Sequence, residues 1–265
     1  MLECSSINAD GLDLISNKYY FTLDGLFAND NDVIMNDLYT DGQSYHRTKI
    51  QVKKLILNGF VRTRDIKDFM YLRQILCAKK LKTFTITIPS FETLTFQAEI
   101  VTWGIGPLGA FTISGQLVLP DPYVYELVVK KITLGATSNS GLTFPLTFPL
   151  VFGTITGGQG TTTNTGNAIA YPIITVVGTC SSIVITNETT GESMTLNVSL
   201  ASDYDTLIID NTQSNRGIYL NGVKRMDLKQ GDWFTCPVGD NIFTFARNSL
   251  ETKQHCSISL QSRWI

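Results

Sequence analysis

Two histidines and the serines and cysteines around them are the residues of this chain best suited to nucleophilic chemistry, but their spacing does not support it. Attack by a serine or cysteine needs a base within hydrogen-bonding reach. His46 and His255 lie in opposite halves of the chain, and neither a GxSxG turn nor a protease-like cysteine context accompanies them. We therefore predict no catalytic residues and expect both histidines at a surface or an interface.

The cysteines and the acidic clusters also lack the spacing of a metal site. The five cysteines are widely separated and form no CxxC pair: Cys4, Cys77, Cys180, Cys236 and Cys256. An odd, scattered set argues against a zinc site and a disulfide framework, so we interpret them as reduced thiols. The acids of residues 30–37 lack the glycine and terminal glutamate of a calcium loop, which favours a solvated turn. We predict no metal and no cofactor.

Phosphate binding and glycoside hydrolysis find equally little support. The glycines of residues 104–109 do not open a helix, and the proline among them suits a β-turn. The carboxylate pairs at residues 188–192 and 203–205 lie in predicted loops, with no feature that would separate their pKa values. A glycosidase stays open but unsupported.

Two aromatic residues could bind a sugar. Trp233 in GDWFTCP and Tyr219 in IYLNG could stack on a sugar ring, as the polar handle and flat face of such side chains allow. The same residues could instead fill the core or a subunit contact, which we favour.

Basic residues are concentrated in one segment. Residues 43–82 hold 11 of the 21 Lys/Arg and two of the 23 Asp/Glu, so this segment has a charge of +9 and the rest −11. Solvent-facing side chains on a sheet and a helix would explain it; a surface complementary to an acidic subunit comes next, and sequence-specific nucleic-acid binding has no motif here. The candidate subunit-interface residues are Lys49, Lys53, Lys54, Arg62 and Arg64.

Size and composition indicate a globular chain with two cores. The sequence has 265 residues, 43% of them hydrophobic and 17% charged, and single cores stop growing near this length. No apolar run approaches the roughly 20 residues of a membrane helix, so no membrane insertion is expected. The first residues show no secretory signal, which makes synthesis and residence in a cytoplasm the default expectation.

The first half is predicted to be β-rich with one helix. Apolar residues recur at helical spacing over residues 64–80, where Thr63 or Asp65 could cap the start. Residues 48–57 and 83–120 have strand patterns. The repeat LTFPLTFPLVFG follows, in which each proline restrains the preceding phenylalanine to extended geometry. It predicts a stiff connector that includes Phe144, Pro145, Phe148 and Pro149.

The second half is predicted to be a β-sandwich. Short strands recur about every ten residues with turn residues between them, and Asn221-Gly222 is a strong hairpin signal. We therefore predict a mainly β protein with an N-terminal sandwich-like domain and helix (residues 1–134), a connector (135–153) and a C-terminal sandwich (154–265). The last strand, residues 256–265, could instead return to the first domain.

The order of these segments resembles the distal tail protein (Dit) family of siphophages, a tail baseplate hub. The resemblance lies in the basic strand and helix of residues 48–80, LVLPDPYVYE at 117–126, the FPLTFPLVFG connector, the pattern of residues 167–196, LIID at 207–210 and VGDNIFTF at 238–245. It implies an N-terminal ring-forming β domain and a galectin-like C-terminal sandwich.

The resemblance also implies a role and a location. Six copies would form a ring at the virion tail tip, after synthesis in the host bacterial cytoplasm. The implied partners are the tail tube protein, the tape measure protein, the tail-tip or tail-associated protein and the receptor-binding proteins. The family brings no enzymatic residues to this chain.

The predicted function is therefore a structural subunit of a phage tail tip or baseplate, forming a hexameric hub ring. The alternative is a carbohydrate-binding β-sandwich module of a host-adhesion device. An enzyme, as a cell-wall hydrolase, ranks third.

Overall fold

A computed structural model describes residues 4–28, 31–37, 43–105, 111–135, 158–246 and 255–265. They form two compact units, residues 1–127 with 264–265 and residues 128–263. The predicted mainly β class with one helix is confirmed in these ranges. The connector residues Phe144, Pro145, Phe148 and Pro149 lie outside the described residues.

In the described residues up to 127, the first unit contains ten strands and one helix. They are β1 (Ser6–Ala9), β2 (Leu12–Asp13), β3 (Tyr19–Asp24), β4 (Asn31–Asp37), β5 (Gln43–Ile50), β6 (Lys53–Val61), α1 (Ile66–Leu76), β7 (Lys82–Thr87), β8 (Thr93–Ile105), β9 (Thr112–Leu119) and β10 (Val124–Glu126).

Antiparallel pairing joins most of these strands into one sheet, in the order β2-β1-β7-β8-β9-β6-β3, with β10 pairing β8. Strict alternation places one face of each strand inside, as in β9, where every second residue is buried. The long strand β8 pairs β7 through its first half and β9 through its second half. Phe84 and Phe96 stack in the resulting core with ring centroids 5.4 Å apart.

Helix α1 is shorter than the predicted range of residues 64–80. Arg64 has a φ of +54°, which is outside the helical region, and Asp65 caps the helix by accepting a hydrogen bond from the Lys67 N–H at 2.9 Å. The helix ends at Leu76, where the N–H of Cys77 bonds the Arg73 carbonyl. It buries Phe69, Leu72 and Leu76 against the sheet.

Two strand expectations differ from the structure. The predicted strand over residues 48–57 is divided between β5 and β6, which end at Ile50 and begin at Lys53. The described part of the acidic segment is strand β4 rather than a turn, because it pairs along its length with β5 and sets Asp32 opposite Lys49.

The second unit is a two-layer sandwich. Its elements are β11 (Lys130–Gly135), β12 (Gln159–Asn164), β13 (Ile173–Val177), β14 (Cys180–Asn187), β15 (Glu192–Leu200), β16 (Thr206–Asp210), β17 (Gly217–Leu220), β18 (Val223–Lys224), the 3₁₀ turn Met226–Leu228, β19 (Lys229–Gly231), β20 (Gly239–Ala246) and β21 (His255–Leu260). The chain then runs through β22 (Arg263–Trp264). One sheet has the order β11-β21-β13-β16-β17-β18 and the other β12-β20-β14-β15-β19. Aliphatic and phenylalanine side chains of both sheets form a single core.

A buried asparagine side chain forms hydrogen bonds with backbone groups next to both sheets. Asn211 is fully buried, donates to the Pro172 carbonyl at 2.8 Å and accepts from the Phe234 N–H at 2.9 Å. Pro172 leads into β13 of one sheet, and Phe234 follows β19 of the other. Since buried backbone groups need partners, this side chain fixes where the segment after β19 lies.

The units divide the chain at different places from those expected. Residues 128–134 fall in the second unit, because β11 pairs with β21 over its whole length. Strand β21 also stays in that sheet, whereas Trp264 and Ile265 belong to the first unit. There the Trp264 ring packs edge-on against Phe91, with centroids 4.9 Å apart.

Candidate functional site

The residues considered for catalysis lie apart or have structural partners. His46 and His255 are both exposed and belong to different units. Glu192 accepts hydrogen bonds from the N–H and hydroxyl of Thr235, both at 2.7 Å. Within the described ranges, no three His, Cys, Asp or Glu side chains could together hold a metal ion.

A second carboxylate caps a turn. Asp205 accepts from the Asn221 side chain at 3.0 Å and from two backbone N–H groups of residues 201–202. These hydrogen bonds, the one from Asn221 foremost, lower the pKa of the partly exposed Asp205. A carboxylate held ionised in this way stabilises its turn and cannot act as a general acid near neutral pH.

The cysteines are free thiols, three of them buried. Burial raises the pKa of the Cys236 thiol to about 12, with a smaller contribution from Glu192. Burial also raises the pKa of Cys256. Because the thiolate is the reactive species, these side chains behave as small apolar core residues.

Lys53 does not fit the role of a subunit-interface residue. Its side chain is 4% exposed and its Nζ donates to the Leu26 carbonyl at 2.8 Å. Desolvation lowers its pKa. The reason is positional: Lys53 shares the inward face of β6 with Leu55 and Leu57.

The other four candidates are exposed. Lys54 points outward on β6, and the Arg62 guanidinium lies 5.1 Å from the centre of the Tyr20 ring. Lys49 is on β5, and Arg64 precedes the helix. The structure therefore brings two of them, Lys54 and Arg62, to one sheet face.

That face also carries apolar side chains that the sequence interpretation missed. Tyr20, Ile56 and Phe60 are all more than a third exposed, and the rings of Tyr20 and Phe60 lie 5.5 Å apart. We call Tyr20, Lys54, Ile56, Phe60 and Arg62 the outer face. One feature of the sequence could have revealed this surface: β6 has apolar residues on both of its sides. This is unusual for an antiparallel strand with one side in water.

Helix α1 has a second apolar stripe. Ile66, Met70 and Tyr71 are more than half exposed, and Met70, Tyr71 and Cys77 line a shallow groove along the helix. In the sequence, Ile66, Met70 and Cys77 recur near helical spacing together with Phe69, Leu72 and Leu76. In the structure, the buried stripe of α1 consists of residues 69, 72 and 76. The opposite side of the helix is exposed.

The β4–β5 hairpin is a third exposed surface of the first unit. These two strands pair only with each other among the described strands. Val33, Met35 and Tyr45 are exposed on it. A two-stranded hairpin is marginally stable alone in water, so a contact that covers it would stabilise it.

Neither ring of the possible sugar platform is a bare aromatic face. Trp233 is partly buried against the core, with the Arg216 guanidinium 5.5 Å and the Lys229 Nζ 5.2 Å from its ring centre. The Lys224 Nζ lies 5.9 Å from the ring centre of Tyr219. A neutral sugar would have to displace cations that the rings attract.

Comparisons with known proteins agree with this architecture. Residues 165–264 match the family model of the siphovirus-type tail component, C-terminal domain. The crystal structure of the phage SPP1 Dit protein, described as a paradigm of the hub adsorption apparatus in Gram-positive-infecting phages, has a TM-score of 0.69 and 15% identity over 98% of this chain and 99% of that one.

A chain of the phage P2 baseplate, in its activated conformation with calcium, is also similar. It has a TM-score of 0.51 and 10% identity, with 97% of each chain covered. No curated protein sequence matches the chain. The resemblance drawn from the sequence is thereby confirmed, by the family model over residues 165–264 and by the fold over the chain.

In the ranges that the structure describes, no helix combines the length and the apolar character needed to cross a membrane.

Proposed function

We propose that this chain, which carries a siphovirus-type tail component C-terminal domain, is a structural subunit of a phage tail tip. Six copies form a hub ring that joins the tail tube and tape measure proteins to the tail-tip and receptor-binding proteins. The observation that carries the proposal is the fold similarity to the SPP1 Dit protein over nearly the full length of both chains. The role is structural rather than enzymatic.

The surfaces of the first unit support ring formation. A closed ring needs two different patches on each copy, one of which contacts the other on the next copy. The outer face, the exposed stripe of α1 and the β4–β5 hairpin supply apolar area beyond scattered single residues. Such contiguous patches on a folded unit are typical of protein contacts. The cations Lys54 and Arg62 on the outer face favour an acidic neighbour.

Mass measurement of the purified chain over a range of concentrations and salt tests the ring. We expect a six-copy species that grows with concentration and weakens with salt, since screening reduces the charge contribution. A chain that stays monomeric in every condition, and forms no ring with a tail-tip partner, would contradict the proposal.

A carbohydrate-binding role and a hydrolase role have separate tests. Glycan arrays with the intact chain test the first, and we expect no binding of neutral glycans because cations lie against the rings of Trp233 and Tyr219. Zymography on bacterial peptidoglycan tests the second, and we expect no cleared band.

A further inference from the structure

Cations and aromatic rings meet at one border of the second unit, where both of its sheets end. Strand β18 is the last strand of one sheet and β19 the last of the other. The 3₁₀ turn between them contacts both sheets, through β17 and β15. We call the residues gathered there the basic border: Arg216, Tyr219, Lys224, Lys229 and Trp233.

Two groups of cation–ring contacts make up the basic border. Arg216 and Lys229 both approach the Trp233 ring. The next residue, Gly217, is so close to its neighbours that a Cβ there would lie 3.0 Å from the Tyr219 ring and 3.1 Å from the Lys224 Cε. The two groups are therefore consecutive along the chain at the start of β17, and Asn211 anchors the Trp233 group by holding the segment after β19.

The cations of the basic border are not neutralised within the chain. Among the described residues, no carboxylate lies within 4.0 Å of the charged groups of Arg216, Lys224 or Lys229. The neighbouring Arg225 differs, because it pairs with Asp227 at 2.8 Å. The Lys229 Nζ donates to the Gly231 carbonyl, which uses one of its three protons. The N–H donors of the Arg216 guanidinium and the Lys224 ammonium are therefore available to a ligand.

The surroundings favour a protein ligand over a sugar. Val223 is 63% exposed and Met226 44% exposed beside the cations. Tryptophan, tyrosine and arginine with apolar neighbours are the composition of protein-binding hot spots. Among the strands that the structure describes, β18 pairs only with β17, so its other side can accept an added strand.

We propose that the basic border docks an extended acidic segment of a partner protein. Carboxylates of that segment pair with Arg216 and Lys224, and its apolar side chains cover Val223 and Met226. The rings of Trp233 and Tyr219 hold the cations in place before the ligand arrives, which reduces the ordering that binding requires. This contact does not depend on ring formation by the first unit, so either proposal can fail alone.

Binding of a labelled Glu-Thr repeat peptide to the intact chain tests the proposal, with a Gln-Thr repeat of equal length as the neutral probe. We expect binding of the acidic peptide only. The substitutions Arg216→Glu and Lys224→Glu should each weaken it at least about tenfold, because each reverses a charge that pairs with carboxylate. Lys131→Glu is the matched control: Lys131 is exposed on β11, at the opposite end of the same sheet as β18.

Three results would overturn the proposal. The first is no binding of the acidic peptide, or equal binding of the neutral one. The second is an equal loss with Lys131→Glu, which would mean that only the overall charge matters. The third is binding of inorganic polyphosphate without binding of the peptide, which would assign the border to a phosphate polymer instead.

Discussion

Replacing Phe60 with serine should weaken the proposed ring without unfolding the subunit. Phe60 is 42% exposed on the outer face, and its backbone keeps its place between β3 and β9. With about 200 Å² for a phenylalanine side chain, roughly 80 Å² is available to a neighbouring copy. At about 25 cal/mol per Å², its burial contributes about 2 kcal/mol to each subunit contact. That corresponds to a dissociation constant raised about 30-fold per contact.

The loss of binding free energy accumulates over the ring, because a closed ring has as many subunit contacts as subunits. Native mass spectrometry over a dilution series should therefore show the Phe60→Ser ring dissociating at a much higher concentration than the unsubstituted ring. Tyr204→Ser is the control, since Tyr204 is 90% exposed in the second unit. Identical dissociation of the unsubstituted and Phe60→Ser rings, with equal thermal stability of the subunits, would refute the role of the outer face.

Three further predictions concern the folded units. Asn211→Leu should lower the free energy of unfolding of the second unit by about 1–3 kcal/mol in a denaturant titration, since the Phe234 N–H loses its partner and the Pro172 carbonyl keeps only the Asn211 backbone N–H at 3.4 Å; a smaller change would mean that water replaces the side chain. Lys53 has a lowered pKa in the folded state, so the unsubstituted chain loses stability as pH falls from 10.5 through the folded pKa. Lys53→Met should therefore gain stability relative to it over that window, and a pH-independent difference would contradict the buried charge. A thiol reagent near neutral pH should label the exposed Cys77 rapidly and Cys236 only after unfolding, because the pKa of Cys236 is raised to about 12; mass spectrometry that finds Cys236 labelled in the native chain would contradict this.

The fold class could be predicted from local sequence patterns. The exposed surfaces could not, because they depend on which face of each helix or strand is covered by the rest of the fold. Alternation and turn residues were enough to predict the sandwich of the second half. On α1, however, apolar residues at both 66 and 69 match helical spacing, and only packing decides that Phe69 is buried and Ile66 exposed. The burial of Lys53 could have been predicted from the strand alternation that it shares with Leu55 and Leu57. Its charge was instead interpreted as a sign of exposure.

The basic border could not be predicted from spacing along the chain. Arg216 and Trp233 are far apart in sequence and meet only because the ends of two different sheets lie side by side. The aromatic residues were recognised as candidates, but the cations beside them are the reason that we propose an anionic ligand instead of a neutral sugar. Local composition has no information about such neighbours, which arise from tertiary pairing.

The return of Trp264 to the first unit has a consequence for the order in which the chain folds. Its ring packs against the core of a unit whose other strands end at Glu126. During synthesis all of residues 128–263 leave the ribosome before Trp264 does, so the second unit can close while the first still lacks this piece of its core. The first unit is therefore completed only on chains whose second unit has already been synthesised.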